Sequence, residues 1–418
     1  MQFDVFFSFS KMPAGGVMPS DADLYDRLFR SMEAADDLGY ERAWVGEAHY
    51  SLAPEQGKAD PLLPHFEGEL CINTDILQIA AAAMPRTRRI SVGSAIRNIL
   101  VNGGPVAHAE MVRTFLTIHG AELRRTGRKL HIGFGAGRFA YANAANGVEP
   151  RNEAERILWS ALRGLALREA TEIFLRLLRG ETLGSKDITP KVLHRDKVKA
   201  EDWARACAAL GKEAAETDAL TFAPYWNFDP LKIIPADEGL ENLVLVLGSH
   251  DPELQAFANR FLPVEVFNLS VTPDAVIDAT HDRMARCFHP EGGKWTRNRM
   301  PRTVMIFVRT DAGLDEATLD ALAEQEAKEA MIAYWNAMEG TVDEEKVRKG
   351  MSNAVYGCPA TVAAQLQARF HPEDRLMTWF DFNARDLDVV TRRMRDFALH
   401  VRPLLEAEKQ SNLQTEAA

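Results

Sequence analysis

The sequence predicts an α/β fold, a (β/α)8 TIM barrel carrying insertions. Over the first 150 residues, short apolar or β-branched runs alternate with longer helical patterns, and those runs are short enough for barrel strands. In addition, the stretches Glu47-Ala48-His49, Arg97-Asn98, Gly135-Ala136-Gly137-Arg138 and Ser249-His250 follow four of the strands at their C-terminal ends, where barrel enzymes keep their chemistry. A doubly wound parallel sheet is the rival reading of the same alternation.

Phe3 to Ser10 reads as the first strand, and Ser20 is placed to cap a helix from Asp21 to Leu38 that stops at Gly39. Ala43 to Gly46 is the second strand. After a Pro-rich loop, Thr74 to Met84 is helical and is closed by Pro85, and Ile90 to Ile96 is the third strand. Pro105 opens a helix to about Leu123, as a first-turn proline does, and Leu130 to Phe134 is the fourth strand. Glu153 to Arg179 is helical by period, and Leu183 to Asp218 reads as polar and partly irregular. Leu243 to Leu247, Val264 to Leu269, Thr303 to Val308 and Leu376 to Phe382 supply the remaining strands. Helical patterns fill much of 315–370 and return from Asp386 to Leu405, and the polar tail 407–418 is expected to fray. Residues 1–406 are read as one domain with insertions at 184–226 and 288–302.

With 418 residues and 46% hydrophobic side chains, the chain can bury a substantial core. A formal net charge of −11 argues against a nucleic-acid-binding surface, which needs clustered Lys and Arg. The four cysteines, Cys71, Cys207, Cys287 and Cys358, are widely spaced and suggest neither a zinc site nor a disulfide framework. No apolar run reaches the length of a membrane span, and the first ten residues lack the basic n-region of a signal peptide, so a cytoplasmic protein is expected.

Among chemistry-bearing residues, His49 can serve as a general base near neutrality, and Glu47 suits an orienting carboxylate. Gly133-Phe134-Gly135-Ala136-Gly137 lets backbone approach a flat ligand or a phosphate, although a tight turn would use the same residues. A zinc hydrolase barrel would need an early His-x-His pair, where the first strand offers Phe7-Ser8-Phe9-Ser10-Lys11.

The order of these stretches resembles the bacterial-luciferase-like flavin-dependent monooxygenases. The family's second strand, Gly-[Tyr/Phe]-x-x-[Ala/Val]-Trp-x-x-Glu-His-His, is followed by Gly39-Tyr40-Glu41-Arg42-Ala43-Trp44-Val45-Gly46-Glu47-Ala48-His49. Its Ala-x-x-Thr-x-x-Ile-x-x-Gly segment is similar to Ala83 through Gly93, with Thr87, Ile90 and Gly93 in step. Pro105-Val106-Ala107-His108-Ala109-Glu110, Gly127 through Gly137 with Lys129 inserted, and Gly357-Cys358-Pro359-Ala360-Thr361-Val362 resemble three further motifs.

The resemblance implies a homodimeric barrel that binds FMN over its mouth. Reduced FMN would react with O2 to a C4a-peroxide that oxygenates a small organic substrate. It also implies a flavin bed at Ala95-Ile96, often a non-prolyl cis peptide in this family, with Asn98, Gly135, Gly137, Arg138 and Ser249 around the cofactor. No second nucleotide-binding unit is legible, so a separate flavin reductase is the expected partner. The family's catalytically important first histidine is replaced by Ala48, which leaves His49, His250 and Arg97 as candidates for the proton-transfer group, with Glu47 beside them. The alternatives are a deazaflavin-dependent hydride-transfer enzyme and a non-catalytic flavin-binding protein. The insertions are expected to include a substrate lid; Trp226, Phe228, Trp295 and Trp335 are candidate pocket aromatics, while Arg297 and Arg299 read better as a solvated loop than as an anion site.

Overall fold

In the computed structural model, residues 1–13, 16–59, 63, 65–339, 342–382 and 386–406 are described. The strands are β1 (Gln2–Phe7), β2 (Arg42–Val45), β3 (Ser91–Asn98), β4 (Leu130–Gly135), β5 (Lys191–His194), β6 (Ala219–Phe222), β7 (Leu243–Leu247), β8 (Val264–Val266), β9 (Arg302–Val308), β10 (Ala354–Gly357) and β11 (Arg375–Trp379). Nine of them form one parallel sheet in the order β10-β9-β11-β1-β2-β3-β4-β7-β8. Beyond β8 the chain meets β9 at a parallel bridge between Asn268 and Arg302. There the Asn268 N–H donates to Pro301 O at 2.8 Å, and the Thr303 N–H donates to Asn268 O at 3.2 Å. The barrel set is therefore β1, β2, β3, β4, β7, β8, β9 and β11, with β10 added to the far half of β9.

Strand alternation divides the apolar residues into two shells. Val5, Phe7, Ala43, Val45, Ile132, Phe134, Leu245 and Leu247 join the main core beneath the surrounding helices. Phe6, Trp44, Val246, Phe267 and Met377 pack together inside the barrel. Local signals set the helix ends. Ser20 Oγ accepts from the Asp23 N–H at 3.1 Å to cap Asp21–Asp37, and Gly127, at φ 71°, ends Gly104–Thr126.

The expected strands are all present, with ends displaced by at most three residues. The expected helix from Glu153 to Arg179 is broken at Leu158 into Glu153–Ile157 and Trp159–Leu178. Segment 184–226 is more regular than its polar composition suggests. The antiparallel pair β5 and β6 and the helix Ala200–Ala209 close over Trp203, Cys207 and Leu220, against Leu158 and Leu162. The expected tail 407–418 lies outside the described residues.

The N-terminal end of the barrel is sealed by charge. Asp4, fully buried, accepts from Trp44 Nε1 at 2.8 Å and from Arg375 Nη1 at 2.7 Å. Arg375 also donates to Glu41, and Arg299 to Glu265 at 3.1 Å. Burial raises the Glu265 carboxyl above its usual range, against the pull of Arg42 and Arg299. Removing one partner of such a group leaves an uncompensated buried charge. Asp4→Ala is expected to lower stability by about 3–5 kcal/mol, read as a shifted urea midpoint. Arg30→Ala, which breaks an exposed pair with Asp26, should change it by less than about 1 kcal/mol.

Candidate active site

The C-terminal ends of the barrel strands surround a cavity of about 730 Å³. Its floor is apolar: Ala95, Ile96 and Trp379 pack with Phe6 and Phe267 above Trp44 and Met377. The peptide bond between Ala95 and Ile96 is cis, which agrees with the expectation for this position. Ile96 rests against the tips of β4 and β7. A Cβ at Gly248 would run into Ile96 Cδ1, and one at Gly135 would meet Ile96 Cγ2 at 3.6 Å.

The glycines of β4 differ in purpose. A Cβ at Gly133 would strike the Ser94 carbonyl, so this glycine lets β3 and β4 approach where their register shifts. Gly137 adopts φ 68°, and a Cβ there would collide with the Asn98 amide. Gly135 is under neither constraint, and its missing side chain leaves the floor open.

Glu47, His49, Ala95, Ile96, Asn98, Gly135, Gly137, Arg138 and Ser249 line the cavity, whereas Arg97 and His250 do not. Glu47 Oε2 accepts from Ser94 Oγ at 2.6 Å, and Glu47 Oε1 lies 3.1 Å from His49 Nε2. Asn102 Nδ2 donates to His49 Nδ1 at 3.2 Å, which assigns the ring proton to Nε2 and makes Nε2 the donor to Glu47. Both ring nitrogens of His49 are therefore engaged by protein, and Glu47 orients the ring. Asn98 is spent on structure as well: its Nδ2 donates to Asn143 Oδ1 at 2.7 Å, and its Oδ1 accepts from the Leu100 N–H at 3.0 Å. Ser249 Oγ accepts from the Asp251 N–H at 3.2 Å, leaving its hydroxyl proton to donate elsewhere. Arg138 is exposed, stacks over Phe139 and forms no ion pair among the described residues.

Arg97 is buried behind the floor, where its Nε donates to His108 Nδ1 at 2.8 Å and its Nη1 lies 3.9 Å from Asp75. The reason is the register shift between Ser94 and Arg97. It turns the consecutive residues Ala95 and Ile96 inward and sends Arg97 outward. Burial and the Arg97 guanidinium push the His108 imidazole down to about 3. His250 is exposed by its surface area, its Nε2 lies 3.4 Å from Thr272 Oγ1, and partial desolvation together with the Arg283 charge lowers its pKa.

Neither expected insertion forms the lid, since no residue of 184–226 or 288–302 lines the cavity. Arg297 and Arg299 pair with Asp374 and Glu265 near the opposite end of the barrel. Trp226 packs on Gly104, and Trp295 against Phe288. The upper wall comes instead from Tyr334, Ala337 and Met338 of the helix Glu316–Glu339, and from Phe66 and Leu70. Ser8, Cys71, Trp379 and Asp381 also line the cavity, and no motif around them in the sequence marks them as site groups. Burial pushes the Cys71 thiol up to about 11, which keeps it neutral.

Residues 1–189 match the family model described as luciferase-like monooxygenase. That stretch is similar to the family. No curated protein matches the chain. Among solved structures, monooxygenase RslO1 from Streptomyces bottropensis is 18% identical, with 96% of this chain and 99% of that one covered at a TM-score of 0.63. The oxygenating constituent of 3,6-diketocamphane monooxygenase of Pseudomonas putida, in complex with FMN, is 14% identical, with 96% and 98% covered at 0.56. An F420-dependent secondary alcohol dehydrogenase is 12% identical, with 97% and 98% covered at 0.53. At these identities the likeness is one of fold. No helix among the described residues is long and apolar enough to cross a membrane.

The two glycines of the fourth tip give separable expectations. Gly137→Ala should destabilise the fold by about 1–3 kcal/mol through its positive φ and the Asn98 collision. Gly135→Ala should leave the thermal midpoint nearly unchanged while weakening binding in the cavity, measured by ligand titration beside thermal unfolding.

Proposed function

We propose that the chain is a flavin-dependent monooxygenase that uses reduced FMN and O2 on a small organic substrate. The observation that carries this reading is the apolar floor at Ala95-Ile96, open beneath Gly135 and Gly248, within a cavity large enough for a cofactor and its ligand and built partly from the family segment. The residues present fit FMN. The floor offers a flat apolar bed for the ring system, and Arg138 offers an exposed cation for the phosphate. Asn98, Gly137 and Ser249 complete the proposed cofactor wall. When bound, reduced flavin supplies the activation of O2, while the chain binds, orients and excludes water. Glu47 and His49 hold one wall of the substrate space, Arg97 supports the floor from behind, and His250 stands outside the lining. A homodimer and a separate reductase supplying reduced FMN complete the proposal.

Hydride transfer with a deazaflavin is the second enzyme reading, while Ala48 in place of the family histidine bears on a non-catalytic flavin-binding protein. Anaerobic titration with FMN, reduced FMN and reduced deazaflavin, followed by mixing with O2, separates the two enzyme readings. The monooxygenase reading expects preferential binding of reduced FMN and reoxidation slower than that of free flavin. Tight deazaflavin binding with anaerobic hydride transfer would sink it.

Loss of the Arg138 cation should be felt only by the phosphate. Arg138→Ala is expected to weaken FMN about tenfold, equivalent to about 1.4 kcal/mol, with riboflavin affinity unchanged in a fluorescence-quenching titration. Equal weakening of both would remove Arg138 from the phosphate site.

A further inference from the structure

The cavity wall between β1 and β11 holds a donor and an acceptor without protein partners. Asp381 lies two residues beyond the end of β11, so its side chain follows that of Trp379 on the inward face, while Phe380 between them packs outward against Tyr40 and Phe397. Asp381 Oδ2 is held by the Ser8 N–H and the Ser8 Oγ–H, each at 2.9 Å. Its Oδ1 is screened from solvent and has no hydrogen-bond partner; the same is true of Trp379 Nε1. The indole N–H is close enough to help hold the carboxylate down in pKa, yet it stays outside hydrogen-bonding geometry with it. A buried acceptor and donor left open side by side are costly unless a ligand group or an ordered water that a ligand can displace completes them.

One group that donates and accepts through a single atom is a hydroxyl. We propose that Asp381 and Trp379 form a hydroxyl-binding pair, and that the substrate is a small apolar molecule whose phenol or enol O–H donates to Asp381 Oδ1 and accepts from Trp379 Nε1. Apolar complementarity comes from Phe6, Phe267 and Phe382 around the pair. When the proton moves, the substrate O–H bond breaks, an O–H bond forms at Asp381 Oδ1, and the substrate oxyanion is left facing the indole N–H. A carboxylate acceptor therefore selects an acidic hydroxyl over an aliphatic one. Burial raises the Asp381 carboxyl to about 6 against the lowering effect of the Ser8 hydrogen bonds. The pair should accordingly bind the hydroxyl best above that pH, where Asp381 is anionic. The other titratable groups lining the cavity are Cys71, Glu47, His49, Tyr334, Asp386, Arg27 and Arg138.

That the ligand is a substrate rests on the monooxygenase reading; the binding pair does not. The test is calorimetric titration of the purified chain with phenol, 4-methylphenol and 4-nitrophenol, each beside its methyl ether, for wild type, Asp381→Asn and Trp379→Phe. At least one hydroxyl compound should bind about tenfold or more tightly than its ether. Both variants should lose most of that preference, and Asp381→Asn, which lies off the apolar floor, should retain FMN affinity and thermal midpoint. In wild type the preference should fall as pH drops through about 6, and in Asp381→Asn it should not. If Asp381→Asn does not fold, Trp379→Phe decides. The proposal is overturned if no hydroxyl compound outbinds its ether, if the variants keep the preference, or if Asp381→Asn loses FMN together with the preference. A wild type that shows the preference but binds no flavin would sink the monooxygenase reading and leave the pair standing.

Discussion

The shape of the cavity depends on the seating of one side chain. Ile96 lies among Gly133, Gly135 and Gly248, contributed by two neighbouring strands, and a methyl group at Gly248 would occupy its place. Because β3 slips in register against β4 just before it, Ala95 and Ile96 both face inward and make a floor two residues wide where a regular strand would offer one. The glycines are there because the bulged strand and its neighbours come within backbone distance of each other. The open space above them follows from the same absence of side chains.

The two ends of the barrel solve opposite problems. At the N-terminal end, inward-facing charges are matched in a run of ion pairs from Arg375 to Asp4, Arg42, Glu265 and Arg299. Above it, Trp44 fills the middle, close over Gly93, whose missing Cβ would stand 2.8 Å from the indole ring. At the C-terminal end the inward residues turn apolar or vanish, and the polar groups withdraw to the walls. There Glu47 is satisfied by Ser94 and His49, while Asp381 is satisfied on one oxygen alone. The base thus matches charge with charge, and the mouth above it presents polar groups open to a ligand.

Much of this was legible in the sequence. Strands ending in Glu-Ala-His, Arg-Asn and Gly-Ala-Gly-Arg named three walls of the cavity, because barrel topology places every strand end at one mouth. Arg97 was misplaced because a period of two puts it on the same side as Ala95, and only the register shift in the sheet reverses it. Asp381 was hidden by the expectation that the last strand runs on to Phe382, which made it one more strand residue and not a tip. The hairpin of β5 and β6 escaped because each strand is four residues long and its core is completed by Leu158 and Leu162 from outside the segment. Segment 288–302 was expected near the mouth from its divergence alone. Its arginines answer to carboxylates on the barrel's base, a fact of long-range pairing that no local pattern carries.

The join between β8 and β9 has a consequence for how the barrel breathes. Neighbouring strands elsewhere share ladders of three to five paired residues, while here the wall is completed by one bridge and two backbone hydrogen bonds. Local opening follows the sparsest backbone bonding, so amide protons at Asn268 and Thr303 should exchange with solvent ahead of those in the β1–β11 ladder. Leu269, Ser270 and Thr303 flank this seam and also line the cavity, so the place where the wall parts most readily is a doorway into the site.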